Sequence, residues 1–125
     1  MKDKKDGLII NVSSWSGNHV SLLSGVSYTS SKHALNAMTE TINMKYCNLG
    51  IRATALCPGE VATAILDKRP KKLSIEQKNK MLQPDDLGQT IAFLCQMPRH
   101  VCINELTISP TWHRRYIADL GIEKL

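Results

Sequence analysis

The sequence predicts one α/β domain in which helices cover a small parallel β-sheet. Three short segments are apolar and rich in strand-forming residues, and segments of helical periodicity lie between them. The chain has 125 residues, a length that suits one domain with one core. The predicted order, β-α-β-α-α-β, begins with a βαβ unit whose crossover we expect to be right-handed.

The first strand and the first helix are predicted from two different patterns. Leu8–Val12 is apolar without polar alternation, as in a strand buried on both faces. Small and polar residues over 13–27 indicate a loop. Helical spacing then extends from about Tyr28 to Leu49, and Gly50 follows where a C-terminal glycine belongs. The apolar stripe of this helix consists of Ala34, Leu35, Met38, Ile42, Tyr46 and Leu49.

The second half of the chain is predicted to hold two more strands and two more helices. The strands are Arg52–Cys57, which Pro58-Gly59 ends, and Glu105–Ser109. One helix begins at Ser74, with Gln77 completing a capping box, and another begins at Pro84. The second of these is expected to end before Pro98 and to line one side with Leu87, Ile91, Leu94 and Cys95. Residues from 111 onward are a tail of unassigned structure.

Composition and charge argue against disorder and against a nucleic-acid partner. Apolar residues make up 42% of the chain and charged residues 22%, with a net charge of +5. The basic clusters are Lys2, Lys4 and Lys5; Lys68, Arg69, Lys71 and Lys72; and Arg114 with Arg115. Long neutral runs separate the clusters and no aromatics interleave them, so we favour a solvated surface. Nucleic-acid binding, the weaker alternative, would be steeply salt-dependent.

The cysteines and the N-terminal region indicate the cellular compartment that we expect. The four cysteines form no CxxC pair and no close-spaced set with histidines, so we expect no metal site. No apolar segment lies near the N-terminus, so we expect neither a secretory signal nor a membrane span. Reduced thiols in a cytoplasmic protein are the simplest interpretation.

Tyr28 and Lys32 are the first candidates for chemistry. Lys32 stands four positions after Tyr28, which places both side chains on one face of a helix. A nearby ammonium group favours the phenolate form of a tyrosine, which can then give or take a proton. Taken alone, the pair is better explained as an exposed helical pair without a catalytic role.

Further motifs stand around this pair in a fixed order. Asn11-Val12-Ser13-Ser14 ends the first strand, Gly17 follows, Tyr28-Thr29-Ser30-Ser31-Lys32 opens the helix, and Pro58-Gly59-Glu60-Val61-Ala62-Thr63 follows the second strand. In this order, and with these elements between them, the motifs resemble those of the short-chain dehydrogenase/reductase family. The resemblance covers about residues 7–110.

The resemblance implies a Rossmann-like, doubly wound parallel sheet, of which this chain carries the C-terminal half with three strands. It implies an NAD- or NADP-dependent oxidoreductase that interconverts a small-molecule alcohol and a carbonyl compound. Ser14 would bind the substrate oxygen, Tyr28 would be the acid/base, and Lys32 would support the phenolate and bind the nicotinamide ribose. The cofactor would lie against Pro58, Gly59, Val61 and Thr63. The complete protein is expected to be a homo-oligomer.

Two departures from the family pattern shape these expectations. Thirteen residues separate Ser14 from Tyr28, one more than in many members, and Ser13 is the less favoured alternative to Ser14. The family's glycine-rich turn does not occur in the sequence, so we expect the nucleotide-binding N-terminal half to be absent. Leu8–Val12 would then be an exposed, aggregation-prone edge. The alternative function is a catalytically inactive fragment that acts, if at all, through subunit association.

Two basic segments allow two interpretations each. In the family, the segment after the PGxVxT motif is a mobile lid over the substrate, and residues 68–72 could approach an anionic one. A solvated loop fits residues 65–81 equally well. Residues 112–115 either cover the substrate pocket or form a basic tail, and the tail is slightly favoured.

Overall fold

The computed structural model describes residues 1–68 and 72–122 and has a three-stranded parallel sheet with helices around it. The strands are β1 (Gly7–Val12), β2 (Ile51–Pro58) and β3 (Glu105–Ile108), and the helices are α1 (Val26–Tyr46), α2 (Ile75–Asn79), α3 (Pro84–Gln96) and α4 (Arg114–Asp119). Short 3-10 helices lie at Trp15–Gly17, Cys47–Leu49 and Ala64–Lys68. The predicted α/β class and the parallel sheet are confirmed.

Strand β2 is the centre of the sheet, with β1 on one side and β3 on the other. All of its residues except Arg52 are buried, whereas β1 is half-buried and Val12 at its end is 49% exposed. The predicted burial on both faces therefore describes β2 and is wrong for β1. Strand β1 is less buried because, within residues 1–68 and 72–122, it pairs with β2 alone and has no second neighbouring strand.

Helix α1 begins at Val26, so Tyr28 lies in its first turn. The helix ends at Tyr46, and a 3-10 turn carries the chain to Gly50. Gly50 has a φ of 65°, in the left-handed region, and a Cβ there would clash with the carbonyl oxygen of Lys5. The predicted C-terminal glycine is confirmed, since this backbone conformation and this close approach both require it.

The face that α1 turns to the sheet is more polar than the predicted stripe. Ala34 and Met38 are exposed, whereas Thr39 is fully buried. The Oγ1 of Thr39 accepts a hydrogen bond of 2.9 Å from Asn11 Nδ2 of β1. Hydrogen bonding to strand residues satisfies the polar groups of this face, so apolar periodicity alone misplaced it.

Asn43 of α1 extends the hydrogen bonding of the central strand. Its Nδ2 donates to the carbonyl oxygen of Ala53 over 2.8 Å, and its Oδ1 accepts from the Ala53 N–H over 2.6 Å. Strand β3 pairs with β2 only from Ala55 onward. The Asn43 side chain therefore satisfies the two backbone groups that β3 does not reach.

The later elements agree with the predicted capping signals. Ser74 and Gln77 form the expected capping box at α2, and α3 begins at Pro84. Leu94 of α3 is buried, but Cys95 is exposed, which corrects the predicted side of this helix.

Arg52 of β2 donates to three carbonyl oxygens just after α3, those of Met97, Pro98 and Val101. Within the described ranges, no helix is long and apolar enough to cross a membrane.

We predict that Asn43→Ala lowers the free energy of unfolding by about 1–3 kcal/mol, because it removes the partner of the buried N–H of Ala53 and leaves the C=O of Ala53 with only the weakly donating thiol of Cys102. Denaturant unfolding followed by far-UV circular dichroism measures this value. Asn43→Asp keeps only the acceptor, and its free energy of unfolding should lie between those of the alanine variant and the parent chain.

The matched control is Thr41→Ala on the same helix, whose hydroxyl bonds only to the exposed carbonyl of Ala37 one turn away. It should change the unfolding free energy by less than about 0.5 kcal/mol. Equal destabilisation by Asn43→Ala and Thr41→Ala would contradict the bridging role of Asn43.

Candidate functional site

An open cleft of about 860 Å³ lies beyond the carboxyl ends of the strands. Ligands of open parallel sheets bind at this edge, where the loops that follow the strands converge. Six residues of the sequence-predicted site line it, namely Ser14, Tyr28, Pro58, Gly59, Val61 and Thr63. Lys32 does not line the cleft but lies close to the ring of Tyr28.

Ser14 follows β1 and caps the 3-10 helix at Trp15–Gly17, where its Oγ accepts a 3.1 Å hydrogen bond from the N–H of Ser16. This contact uses the oxygen as an acceptor and leaves the hydroxyl hydrogen for a ligand. The Oγ of Ser13 instead donates to the carbonyl oxygen of Lys32 over 3.3 Å. The geometry thus favours Ser14 over Ser13 as a donor to substrate, and its catalytic role stays a prediction.

Tyr28 and Lys32 are brought together as their spacing predicts. The Lys32 Nζ lies 5.7 Å from the centroid of the Tyr28 ring and donates a 3.1 Å hydrogen bond to the carbonyl oxygen of Val12. Tyr28 is 46% exposed at the cleft. The end of β1 therefore anchors the ammonium group beside a phenol that a ligand can reach.

A polar network supports the loop that carries Ser14. The Nδ2 of Asn36 donates to Asn18 Oδ1 over 2.7 Å, and the Nδ2 of Asn18 donates to Glu105 Oε1 over 2.6 Å. These bonds connect α1, the loop after β1 and the start of β3. Gly17 lies within this network, where a Cβ would come to 2.7 Å from both Asn36 Nδ2 and Ser13 Oγ. A larger residue at this position would therefore have to displace these two side chains.

Beneath this network, the thiol of Cys57 is fully buried near the end of β2. Its Sγ contacts the side-chain amide of Asn36 at 3.6–3.8 Å. Burial raises the pKa of the Cys57 thiol, because the low-polarity surroundings disfavour the thiolate. Cys57 is thus a neutral packing residue of the central strand.

The loop after β2 runs extended along the cleft. The N–H of Ala62 donates to the Leu82 carbonyl over 2.7 Å, and the N–H of Leu82 donates to the Glu60 carbonyl over 3.1 Å. Val61 lies between Glu60 and Ala62. In a parallel bridge of this kind, its own N–H and C=O point to the opposite side. The N–H of Val61 is therefore directed away from Leu82, while its carbonyl accepts from Thr63.

The C-terminal segment forms a further wall, so the prediction of a basic tail is wrong. His113, Arg114 and Arg115 line the cleft, and the Tyr116 ring of α4 lies 6.1 Å from that of Trp15 in the loop that carries Ser14. The ring of His113 lies 4.4 Å from that of Trp15 and 4.3 Å from that of Tyr116, and Trp15 also stacks on His19 at 4.4 Å. The available signal was Trp15 directly after Ser14, which offers an aromatic surface beside the site.

The segment of the predicted lid also contributes to the cleft. The 3-10 helix Ala64–Lys68 places Ile65, Leu66 and Lys68 along it, whereas Arg69 and Lys71 lie outside the described residues. Whether this segment moves stays a prediction. In the part of the chain that the structure describes, no group of three or more metal-ligating side chains gathers.

Comparisons with known proteins identify relatives of this sequence. Residues 1–74 match the family model described as short chain dehydrogenase. The chain is 33% identical over 121 residues to the human protein named dehydrogenase/reductase SDR family member 11, covering 89% of this chain and 46% of the relative. It is 29% identical over 110 residues to an uncharacterized oxidoreductase of Staphylococcus aureus strain USA300, covering 88% of this chain and 45% of that one.

Solved structures show the same fold. A betaketoacyl-[ACP] reductase from Bacteroides thetaiotaomicron superposes with a TM-score of 0.70 at 35% identity, over 94% of this chain and 45% of that one. An alcohol dehydrogenase from the archaeon Thermococcus sibiricus, in complex with 5-hydroxy-NADP, gives 0.69 at 25% identity, over 86% and 43%. The chain thus spans a little under half the length of the relatives that it matches.

We predict that His113 makes the stability of the fold depend on pH. Burial lowers the pKa of the His113 imidazole, although the nearby Glu60 opposes the shift, and Nδ1 is buried without a hydrogen-bond partner among the described residues. Since the unfolded chain binds the proton more readily, this stability is present above a pH of about 6.5 and is lost as the pH falls below that value. Melting temperatures measured between about pH 8 and pH 5 should therefore decline.

His113→Phe keeps a ring against Trp15 but cannot titrate, so its decline over the same pH range should be shallower. The exposed His100→Gln is the matched control and should follow the parent chain. If His113→Phe declines as steeply as the parent chain, His113 is not the group responsible.

Proposed function

The chain belongs to the short-chain dehydrogenase family, and from this premise we propose that it interconverts an alcohol and a carbonyl compound with NAD or NADP. The observation that carries the proposal is the shared cleft of Ser14 and Tyr28, with the ammonium group of Lys32 5.7 Å from the tyrosine ring. A small-molecule substrate fits an open cleft of about 860 Å³.

The residues beside Tyr28 fit a nicotinamide cofactor. The N–H of Val61, directed away from Leu82, offers a hydrogen-bond donor of the kind that a carboxamide requires. Thr63 adds a hydroxyl, and Pro58 and Gly59 provide a compact surface at the end of β2. When bound, the nicotinamide supplies or accepts the hydride. The neighbour from Thermococcus sibiricus in complex with 5-hydroxy-NADP supports this class of cofactor.

We assign each of the three side chains a role that its contacts support. The Ser14 hydroxyl donates to the carbonyl oxygen of the substrate and holds that oxygen beside Tyr28. In reduction, Tyr28 transfers its hydroxyl proton to this oxygen, and in oxidation it takes the proton back. The Lys32 ammonium, held by the Val12 carbonyl, stabilises the phenolate that forms in the first direction.

We place the complete protein in the cytoplasm as a homo-oligomer. Met38 and Met44 of α1 are 49% and 77% exposed, and large apolar side chains on one helix favour contact with a second subunit. We propose no nucleic-acid partner for the basic clusters.

A second candidate is a polypeptide that is inactive alone and acts through association with another subunit. Two observations favour it. The chain spans 46% of the human relative, and β1 has a single neighbouring strand within the described residues. A saturable rise in melting temperature on addition of NADH or NADPH to the isolated chain would favour the first candidate. No rise with either cofactor would favour the second.

We predict that Tyr28→Phe lowers kcat/KM for NADPH- or NADH-dependent ketone reduction by about 10²–10⁴-fold, the range typical of a positioned acid/base. The removed hydroxyl makes no other hydrogen bond within the described residues, so the fold should persist. Absorbance of the reduced cofactor measures the rate, and circular dichroism checks the fold.

Tyr46→Phe is the matched control, since Tyr46 lies at the other end of α1 between Lys2 and Lys45. It should keep the activity of the parent chain. A Tyr28→Phe variant as active as Tyr46→Phe would show that Tyr28 is not the acid/base.

A further inference from the structure

The cleft carries more positive than negative charge. Its charged lining residues in the described part of the chain are Glu60, Lys68, Arg114 and Arg115. Arg114 Nη2 lies 3.0 Å from Glu60 Oε1 and forms an ion pair with it. No ion pair joins Lys68 or Arg115 to an acidic side chain of residues 1–68 or 72–122. These two cations are the excess charge of the cleft.

The same cleft exposes large aliphatic side chains from two loops. Leu23 is 73% exposed and lies before α1, and Ile65 is 68% exposed and follows β2. A ligand that covers them would remove apolar surface from water and gain free energy in proportion to that area. The walls therefore favour a ligand with an apolar body.

The position of Arg115 relative to Ser14 is fixed by aromatic packing. Arg115 lies in the first turn of α4, and the preceding His113 contacts the ring of Trp15 at 4.4 Å. Trp15 is the residue directly after Ser14. The Arg115 guanidinium is thus carried on a helix that packs beside the loop of Ser14. It lines a different part of the cleft from the predicted reacting groups.

We propose that the ligand of this cleft is amphipathic: an apolar carbonyl or alcohol compound that also carries a negatively charged carboxylate or phosphate away from its reacting carbon. Arg115 binds the charged group, with Lys68 as the second cation, because a guanidinium matches both oxyanions with two parallel hydrogen bonds. The proposal rests on the proposed function, since it assigns a substrate class to the same cleft.

The test measures binding to the full chain by calorimetry, without a cofactor, for octanoate, octyl phosphate and octan-1-ol. We expect the tighter of the two anions to bind at least about tenfold more tightly than the alcohol. Whichever anion binds more tightly identifies the charged group. Equal affinity for all three compounds, or binding of none, overturns the proposal.

Arg115→Gln should remove most of the preference for the anion, and Lys68→Gln should reduce it further. Both side chains are exposed, so thermal melts should stay close to that of the parent chain. Lys4→Gln, which removes an exposed charge ahead of β1 at the far end of the strand from Ser14, is the matched control and should keep the preference. The proposal is overturned if Arg115→Gln keeps it as well, or if that variant weakens NADPH binding and leaves octanoate binding unchanged.

A turnover assay separates this proposal from the proposed function. The parent chain is given NADPH or NADH with an aliphatic keto acid or with its methyl ester. Anion-selective binding without reduction of either compound refutes the proposed oxidoreductase function and supports the proposed class of ligand. Reduction of both compounds with equal kcat/KM supports the oxidoreductase and refutes the ligand class.

Discussion

The close approach of helix α1 to the central strand is the constraint on which the rest of the structure depends. Strand side chains alternate between faces, so Ala53, Ala55 and Cys57 of β2 all point to the side where Asn36 meets the thiol of Cys57. These side chains are short, and the helix therefore comes near enough for Asn43 to bond the Ala53 backbone. A larger residue here would move α1 outward and would break these bonds.

The candidate site inherits its geometry from that packing. Tyr28 is in the first turn of α1, and Lys32 reaches the carbonyl of Val12 at the end of β1. The same strand continues into Ser14. The helix and the strand therefore position all three groups, and no contact between the side chains of Ser14 and Tyr28 is required. Placement by rigid elements reduces the freedom that a catalytic group must lose before it reacts.

Prediction from the sequence succeeded where a local signal has one structural meaning. Gly50 ends the first helix and Ser74 with Gln77 begins the second, because each signal satisfies backbone groups of its own segment. It failed at β1, since burial depends on neighbouring strands and not on composition alone. It also failed at Thr39, whose polar side chain is buried because Asn11 of a distant segment supplies its partner.

The sequence by itself determined the α/β class, the order of the elements up to β3 and the family motifs around Ser14, Tyr28 and Lys32, because local propensities and ordered spacing encode all three. Only the tertiary structure decided which strand is central and which loops meet at the cleft. The clearest case is α4, where His113 packs on Trp15 across 98 positions of the chain. Such a contact depends on the whole fold bringing two rings together, and no local pattern specifies it.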